Sequence, residues 1–319
     1  MAGRDPRIAL VGATGTVGSQ IAELIGERHF ECSELKLFAR DSADHVVEVG
    51  ERSLPVARLD DAQDLSAFDI AFLATPQTAA TYIIEAQPGP LLIDLSAATN
   101  PPRPTVAMVA PGLTARERVA HLGRGEILAV PHPAAQVIAT ILQVLSSDSF
   151  ASGSILMSAS AAGRQGISDL FQQSADLLNA RLDLGDEPQV AFNLFAPQDA
   201  SALSRAIAAQ VRLLYGGSGP LLLDIVRVPA FHGSGVALFL PADAASRDWV
   251  ERLRSAPGII TVGNDQALGF VDAVGQEGAI TRITLDDSGA AIWSSFDAAR
   301  LAALTALWIA ETVSEKGYD

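Results

Sequence analysis

The densest chemical signal lies near the start of the chain, in Gly12-Ala13-Thr14-Gly15-Thr16-Val17-Gly18. Glycines spaced this way suit a turn that holds a pyrophosphate. Gly12 permits a tight bend, Gly15 lets backbone approach an anion, and Gly18 lets a helix pack closely on a strand. No catalytic side chain is needed, because main-chain amides at a helix N-terminus hold the anion. Gly12, Thr14, Gly15, Thr16 and Val17 are therefore candidate contacts to a dinucleotide; the bland alternative is a turn kept for packing alone. Roughly 20 residues beyond the glycines, Arg40-Asp41 falls where such folds meet the adenosine ribose. Arg40 suits the 2′-phosphate of NADP, whereas Asp41 suits the free 2′-hydroxyl of NAD and repels that phosphate. The balance leans to NADP over NAD, and either residue could be an ordinary solvated charge. The single cysteine, Cys32, can form neither an intrachain disulfide nor a cysteine-based zinc site, and reads as a core thiol.

Elements must position these residues. Arg7–Val11 is a short apolar run that reads as a strand, and the periodic Ile21, Leu24 and Ile25 read as the helix after the turn. A second strand over 35–39 ends at Arg40. Strands over 70–74 and 91–95 flank a helix over 78–86, and this alternation predicts a parallel, doubly wound sheet. Pro101-Pro102-Arg103-Pro104 reads as a rigid loop. A strand over 127–130 precedes Pro131-His132-Pro133, and Pro133 suits the first turn of a helix over 134–145.

From Ser154 the texture changes to longer β-rich runs over 155–159, 221–228, 235–240 and 279–285, with helices over 166–179 and 200–215. The fold class is thus α/β: a Rossmann-type dinucleotide-binding domain plus an α+β dimerisation domain with a broad mixed sheet. Weak apolar alternation there predicts both sheet faces covered, one of them in a dimer. The closing helix, 297–313, is apolar almost all round except for Arg300 and Glu311, and must be buried. The expected domains are 1–132, completed by 297–319, and 133–296.

At 319 residues, 49% hydrophobic and 18% charged, with mean hydropathy +0.26, the chain has enough apolar material for two cores and is not disordered. Lys plus Arg number 22 against 37 Asp plus Glu, a net charge of −15 without any basic run, which speaks against nucleic-acid or anionic-membrane partners. No apolar run approaches about 18 residues, and the first six residues lack the apolar core of a signal peptide. A soluble, cytoplasmic protein is expected.

The order of motifs resembles the aspartate-semialdehyde dehydrogenases, and within that superfamily most nearly the Usg proteins, paralogues that share the fold but not the full active site. The stretches that carry the resemblance are Gly12 to Gly18, Leu92-Ile93-Asp94-Leu95-Ser96-Ala97, Ala129-Val130-Pro131, Ser158-Ala159-Ser160-Ala161-Ala162-Gly163, Ala191-Phe192-Asn193, Arg227-Val228-Pro229 and the tail from Trp293 to Glu311. They span the chain in the family's order, which implies the family's fold and a homodimer.

What the resemblance implies for chemistry is different. The family reduces an acyl phosphate through a thioester, using a cysteine thiolate at a helix N-terminus and a histidine acid/base. Its Asn-Cys-Ser-Thr segment falls on His132-Pro133-Ala134-Ala135, so Pro133 stands in the nucleophile's place. Its Gly-His-Ser falls on Gly233-Ser234-Gly235, so Ser234 replaces the acid/base. The family's glutamine becomes Met157, its phosphate-binding arginine Asn100, and its Gly-Gly turn over the nicotinamide Thr75-Pro76-Gln77. Asp94, Ser96 and Asp297 are kept, while Ala298 and Leu301-Ala302 depart from the family's asparagine and Lys-Gly. Arg205 sits where the family has a lysine that contacts substrate phosphate, and could equally be a helix-surface charge.

His132 and His232 fall beside the lost positions, and a histidine pair facing a cofactor could run acid/base chemistry or bind a metal. Without a third ligand or a carboxylate they are more often ordinary satisfied residues, and no metal site is expected. His29, His45 and His121 read as solvated. The leading expectation is a catalytically degenerate relative that still holds NADP or NAD and acts by binding a small molecule or a protein. A live oxidoreductase without a thioester, using His132 or His232, is one alternative; a non-enzymatic interaction protein is the other.

Overall fold

The computed structural model describes residues 4–40, 45–96, 106–145, 149–181, 188–241 and 248–315. The chain forms two compact units, Met1–His132 with Ala299–Asp319, and Pro133–Ala298.

The first unit is built from β1 (Arg7–Val11), α1 (Thr16–Glu27), β2 (Glu34–Phe38), β3 (Val46–Val49), β4 (Arg52–Ala57), β5 (Ile70–Leu73), α2 (Gln77–Ala86), β6 (Leu91–Asp94), β7 (Ala107–Met108), α3 (Arg116–Ala120) and β8 (Ile127–Ala129). Ile8, Ala9 and Leu10 are all fully buried, as expected of a strand covered on both faces. The eight strands run in the order β3-β4-β2-β1-β5-β6-β8-β7, parallel except for the β3–β4 hairpin. From β1 the chain winds outward to β2, then returns to β5 on the other side. That reversal opens a crevice at the carboxyl ends of β1 and β5, where such sheets take ligands.

The second unit holds α4 (Pro133–Leu145), β9 (Ala151–Met157), α5 (Gly163–Leu178), α6 (Ala200–Tyr215), β10 (Leu221–Arg227), β11 (Ser234–Pro241), α7 (Trp249–Arg254), β12 (Ile259–Thr261), β13 (Ala279–Asp286) and β14 (Gly289–Phe296). Its mixed sheet runs β10-β9-β11-β14-β13-β12, parallel at both edge pairs and antiparallel between them. Helices α4 and α6 pack on β11 and β10, where Ile225, Val236 and Leu238 are fully buried, as is Ile155 on β9 between them.

The second sheet differs from the sequence reading in two places. The strand expected over 155–159 ends at Met157, because the chain leaves the ladder at Ser158 for a short 3-10 turn and α5 then starts at Gly163 with φ +72°. The strand β14, rich in small residues, gave no sequence signal. The sheet face opposite α4 and α6 leaves Leu222 and Phe239 65% and 54% exposed in the single chain, and is the face expected to be covered in a dimer.

The last helix, α8 (Ala298–Ser314), joins the first unit's core. Ala303, Ala306, Leu307, Ile309 and Ala310 are fully buried in the cluster that contains Leu10, Ile21 and Leu24. Arg300 breaks the apolar pattern and is only 8% exposed; it answers Glu27 at 2.8 Å and Glu23 at 3.7 Å on α1.

Candidate functional site

The Gly-rich turn leaves β1 at the point where the sheet reverses. The amides of Gly12 and Ala13 both donate to the Phe38 carbonyl, at 2.8 and 3.1 Å, which ties the turn to the end of β2. Gly12 has φ +91°, and a Cβ there would stand 2.1 Å from the Ala74 carbonyl oxygen. No other residue fits. Gly15 caps α1 in ordinary extended conformation (φ −76°), so its backbone does not demand glycine. A Cβ at Gly15 would lie 3.2 Å from the Gly12 carbonyl oxygen, and its absence keeps the backbone approachable. At Gly18 the added atom would come within 2.0 Å of that same oxygen, so this glycine serves the close packing of α1 on the turn.

Helix α1 has no side-chain cap and no acidic residue in its first turn. Its first amides have no intrahelical acceptor and its dipole favours an anion. The hydroxyls of Thr16 and Thr75 are buried without a hydrogen-bond partner. The open backbone, the uncapped helix and these two donors together fit the pyrophosphate of a dinucleotide.

A cavity of about 420 Å³ extends from this turn. Gly12, Thr14 and Gly15 line one end, and Arg40, Arg58 and Asp60 the other. Thr16 and Val17 lie just beyond, in the first turn of α1. Arg58 Nε stands 3.3 Å from Asp60 Oδ1. Leu59, Tyr82 and Ile83 add an apolar wall. Of the residues expected to contact a dinucleotide, Gly12, Thr14, Gly15 and Arg40 line this cavity; Arg58, which the sequence reading did not single out, lines it too, directly after the unforeseen strand β4. Asp41 and Asn100 lie outside the described residues.

The second unit has a cavity of about 670 Å³. Arg227 on β10 and Met157 on β9, paired in parallel register, line it, and Met157 in turn faces Ser234 on antiparallel β11. Met157 is 3% and Ser234 4% exposed. Arg227 lines the cavity and forms no ion pair among the described residues; burial lowers its guanidinium pKa, only partly offset by the Asp199 charge. Across the cavity, Gln165 donates to Asp169 at 2.6 Å, and the Gln173 carbonyl oxygen accepts from the amides of Val190 and Ala191. Ser158 is fully buried, 3.0 Å from the Ser160 hydroxyl. This arrangement offers an anion a cation and polar neighbours. Its described lining includes neither a thiol nor an imidazole.

The other sequence candidates lie in both units. Arg205 is on the exposed side of α6 and does not line this cavity. His232 is exposed in the turn between β10 and β11, whereas His132 is half-buried just before α4, in the other unit. Pro133 is the first residue of α4, followed by fully buried Ala134 and Ala135. Asp94, 1% exposed, accepts from the Ser96 amide and hydroxyl at 2.8 and 2.6 Å, a local turn lock. Asp297 accepts from the Gly275 amide at 3.2 Å. Cys32 packs against the first unit's core, and burial raises its thiol pKa despite the nearby Arg52. No group of three metal-ligating side chains occurs among the described residues, and no described helix is long and apolar enough to cross a membrane.

Residues 7–121 match the family described as semialdehyde dehydrogenase, NAD binding domain. A USG-1 protein homolog of Pseudomonas aeruginosa is 34% identical over 292 residues, covering 85% of this chain and 84% of that protein. An aspartate-semialdehyde dehydrogenase of Synechocystis is 27% identical over 340 residues, covering 98% of each. The solved structure of a probable aspartate-semialdehyde dehydrogenase from Pseudomonas aeruginosa superposes with a TM-score of 0.85 at 31% identity, over 97% of this chain and 98% of that one.

Proposed function

This chain belongs to the aspartate-semialdehyde dehydrogenase family, beside the USG-1 proteins, and we propose that it binds a nicotinamide dinucleotide and a small anion without the family's acyl-phosphate reduction. The observation that carries the reading is the row Arg227, Met157, Ser234: an open guanidinium flanked by a thioether and a hydroxyl. A guanidinium holds carboxylate or phosphate, but neither neighbour exchanges a proton near neutral pH. Pro133, Ala134 and Ala135 likewise provide no nucleophile at the start of α4.

The first unit is the cofactor unit. Gly12, Thr14, Gly15, Thr16 and Val17 hold the pyrophosphate, and Arg40 favours NADP over NAD at the adenosine end. A bound nicotinamide would supply hydride chemistry; the residues of this chain supply orientation alone. The second unit binds the anion through Arg227, with Arg205 as an outlying cation. It also carries the dimer surface: Leu222, Ser152, Phe239, Ala291 and Thr284 follow one another across five strands on the open sheet face, and a second copy covers them. The acidic composition and packed thiol suit the cytoplasm.

Fluorescence titration and thermal shift with NADPH and NADH test the binding half directly. Saturable binding of either supports the reading. Failure of both to bind leaves a protein that works through its surfaces alone.

A further inference from the structure

We infer that Arg58 is a second anchor for the 2′-phosphate of NADP, acting beside Arg40, and that the two together set the choice of dinucleotide. The inference rests on the proposal that the first unit binds a nicotinamide dinucleotide, and deepens it by assigning specificity to a residue distant from Arg40 in sequence.

Strands β2 and β4 are parallel neighbours, with Phe38 opposite Ala57. The Ala39 amide donates to the Ala57 carbonyl at 3.0 Å, so the ladder continues to the very ends of both strands. Arg58 follows Ala57 directly and Arg40 follows Ala39, so adjacent strands deliver two guanidiniums to one sheet edge. Both line the cavity whose other end is Gly12, Thr14 and Gly15. With its pyrophosphate on that turn, a dinucleotide of this fold places its adenosine ribose at the end of the second strand. A 2′-phosphate there meets two planar donor forks, each able to bind two phosphate oxygens.

The surroundings agree with this role. Arg40 forms no ion pair among the described residues. Arg58 is engaged by Asp60 only at 3.3 Å, with side chains 72% and 79% exposed, a solvent-screened contact that a phosphate of higher charge can displace. Asp60 thereby keeps Arg58 at the cavity rim without neutralising Arg40. The apolar wall of Leu59, Tyr82 and Ile83 suits an adenine ring, common to both dinucleotides, so discrimination falls to the charged pair.

The test isolates the phosphate. Adenosine 2′,5′-bisphosphate and adenosine 5′-monophosphate, followed by NADPH and NADH, are titrated calorimetrically into the full-length protein and its Arg58→Ala and Arg58→Lys variants. The bisphosphate should bind the unaltered protein at least about tenfold more tightly than the monophosphate, a difference of about 1.4 kcal/mol. Arg58→Ala should lower that ratio at least about fivefold while leaving monophosphate and NADH affinity within about twofold, with Arg58→Lys intermediate. A ratio unchanged in Arg58→Ala, or equal weakening of both ligands, overturns the assignment while dinucleotide binding stands. If the unaltered protein binds none of the four ligands, the cofactor reading falls with it.

Discussion

Met157 and Ser234 face each other across the antiparallel strands β9 and β11, and Arg227 stands beside Met157 on β10. Two positions at which the family resemblance implies chemistry are thus neighbours in one row of one sheet. The cavity beside that row is lined by Arg227 and Met157, with Gln165, Asp169 and Gln173 across it.

Arg227 should therefore be the residue on which anion binding depends. Inorganic phosphate and succinate, added separately, should raise the melting temperature of the unaltered protein but not of Arg227→Ala, since a partly buried cation is favoured by any anion that pairs with it. Arg205→Ala, on the exposed side of α6, should keep most of the shift and leave NADPH affinity unchanged. Equal losses in the two variants would point away from the cavity.

The glycines of the turn make separable predictions. Gly12→Ala forces a Cβ to 2.1 Å from a carbonyl oxygen at a positive φ, and should cost several kcal/mol of stability, of order 3 or more. Gly15→Ala occupies an ordinary conformation with one 3.2 Å contact, and should cost about 1 kcal/mol or less. It should nonetheless weaken NADPH at least about tenfold, because the backbone is no longer approachable. Urea denaturation beside NADPH titration separates the two; unchanged affinity in Gly15→Ala would contradict the cradle.

Much of the first unit was legible because its signals are local. The buried run of β1, the glycine spacing and the periodicity of α1 each declare themselves within a dozen residues, and the closing helix declared its burial by being apolar all round. What escaped depended on tertiary pairing. The hairpin of β3 and β4 is mostly exposed and holds Pro55 opposite Val46 at the sheet edge, so it gave no strand pattern, and Arg58 was lost with it. Arg227 stood in a quoted motif, but its role in a cavity follows from register with Met157 and from α5 across the gap. The pairing expected of His132 and His232 joins residues of different units, His132 in the first and His232 in the second.

Dimerisation should depend on the open sheet face. Phe239→Glu puts a carboxylate into the row running from Leu222 to Thr284, and should convert a dimer to a monomer in light scattering after size exclusion. Phe239 is 54% exposed in the single chain, so the variant should fold normally by circular dichroism. A dimer that survives it would place the interface elsewhere.

Stability at low pH should turn on Asp69, which is 2% exposed. Burial disfavours its charged form, but the Arg4 side chain at 2.7 and 2.9 Å, the Arg7 amide and the Arg124 charge outweigh that and hold its pKa below the usual carboxylate range. A carboxylate lowered on folding stabilises fully above its unfolded value, near about pH 3.9, and loses that contribution as pH falls through the folded value. Asp69→Asn should cost about 2 kcal/mol at pH 7, less than a fully buried pair because Arg4 is 43% exposed. The gap between variant and unaltered protein should close below about pH 4, which urea titrations at pH 7 and pH 3 will check.

The central claim is most directly tested by turnover. The purified protein, first shown to bind NADPH, is supplied with aspartate semialdehyde, phosphate and NADP, and nicotinamide reduction is followed by absorbance. Saturable NADPH binding with no phosphate-dependent reduction above the protein-free rate is the expected result, since neither Pro133 nor the row of Arg227, Met157 and Ser234 offers a nucleophile or a proton carrier. Phosphate-dependent turnover would contradict the account and mean that another group does the work of the thiol.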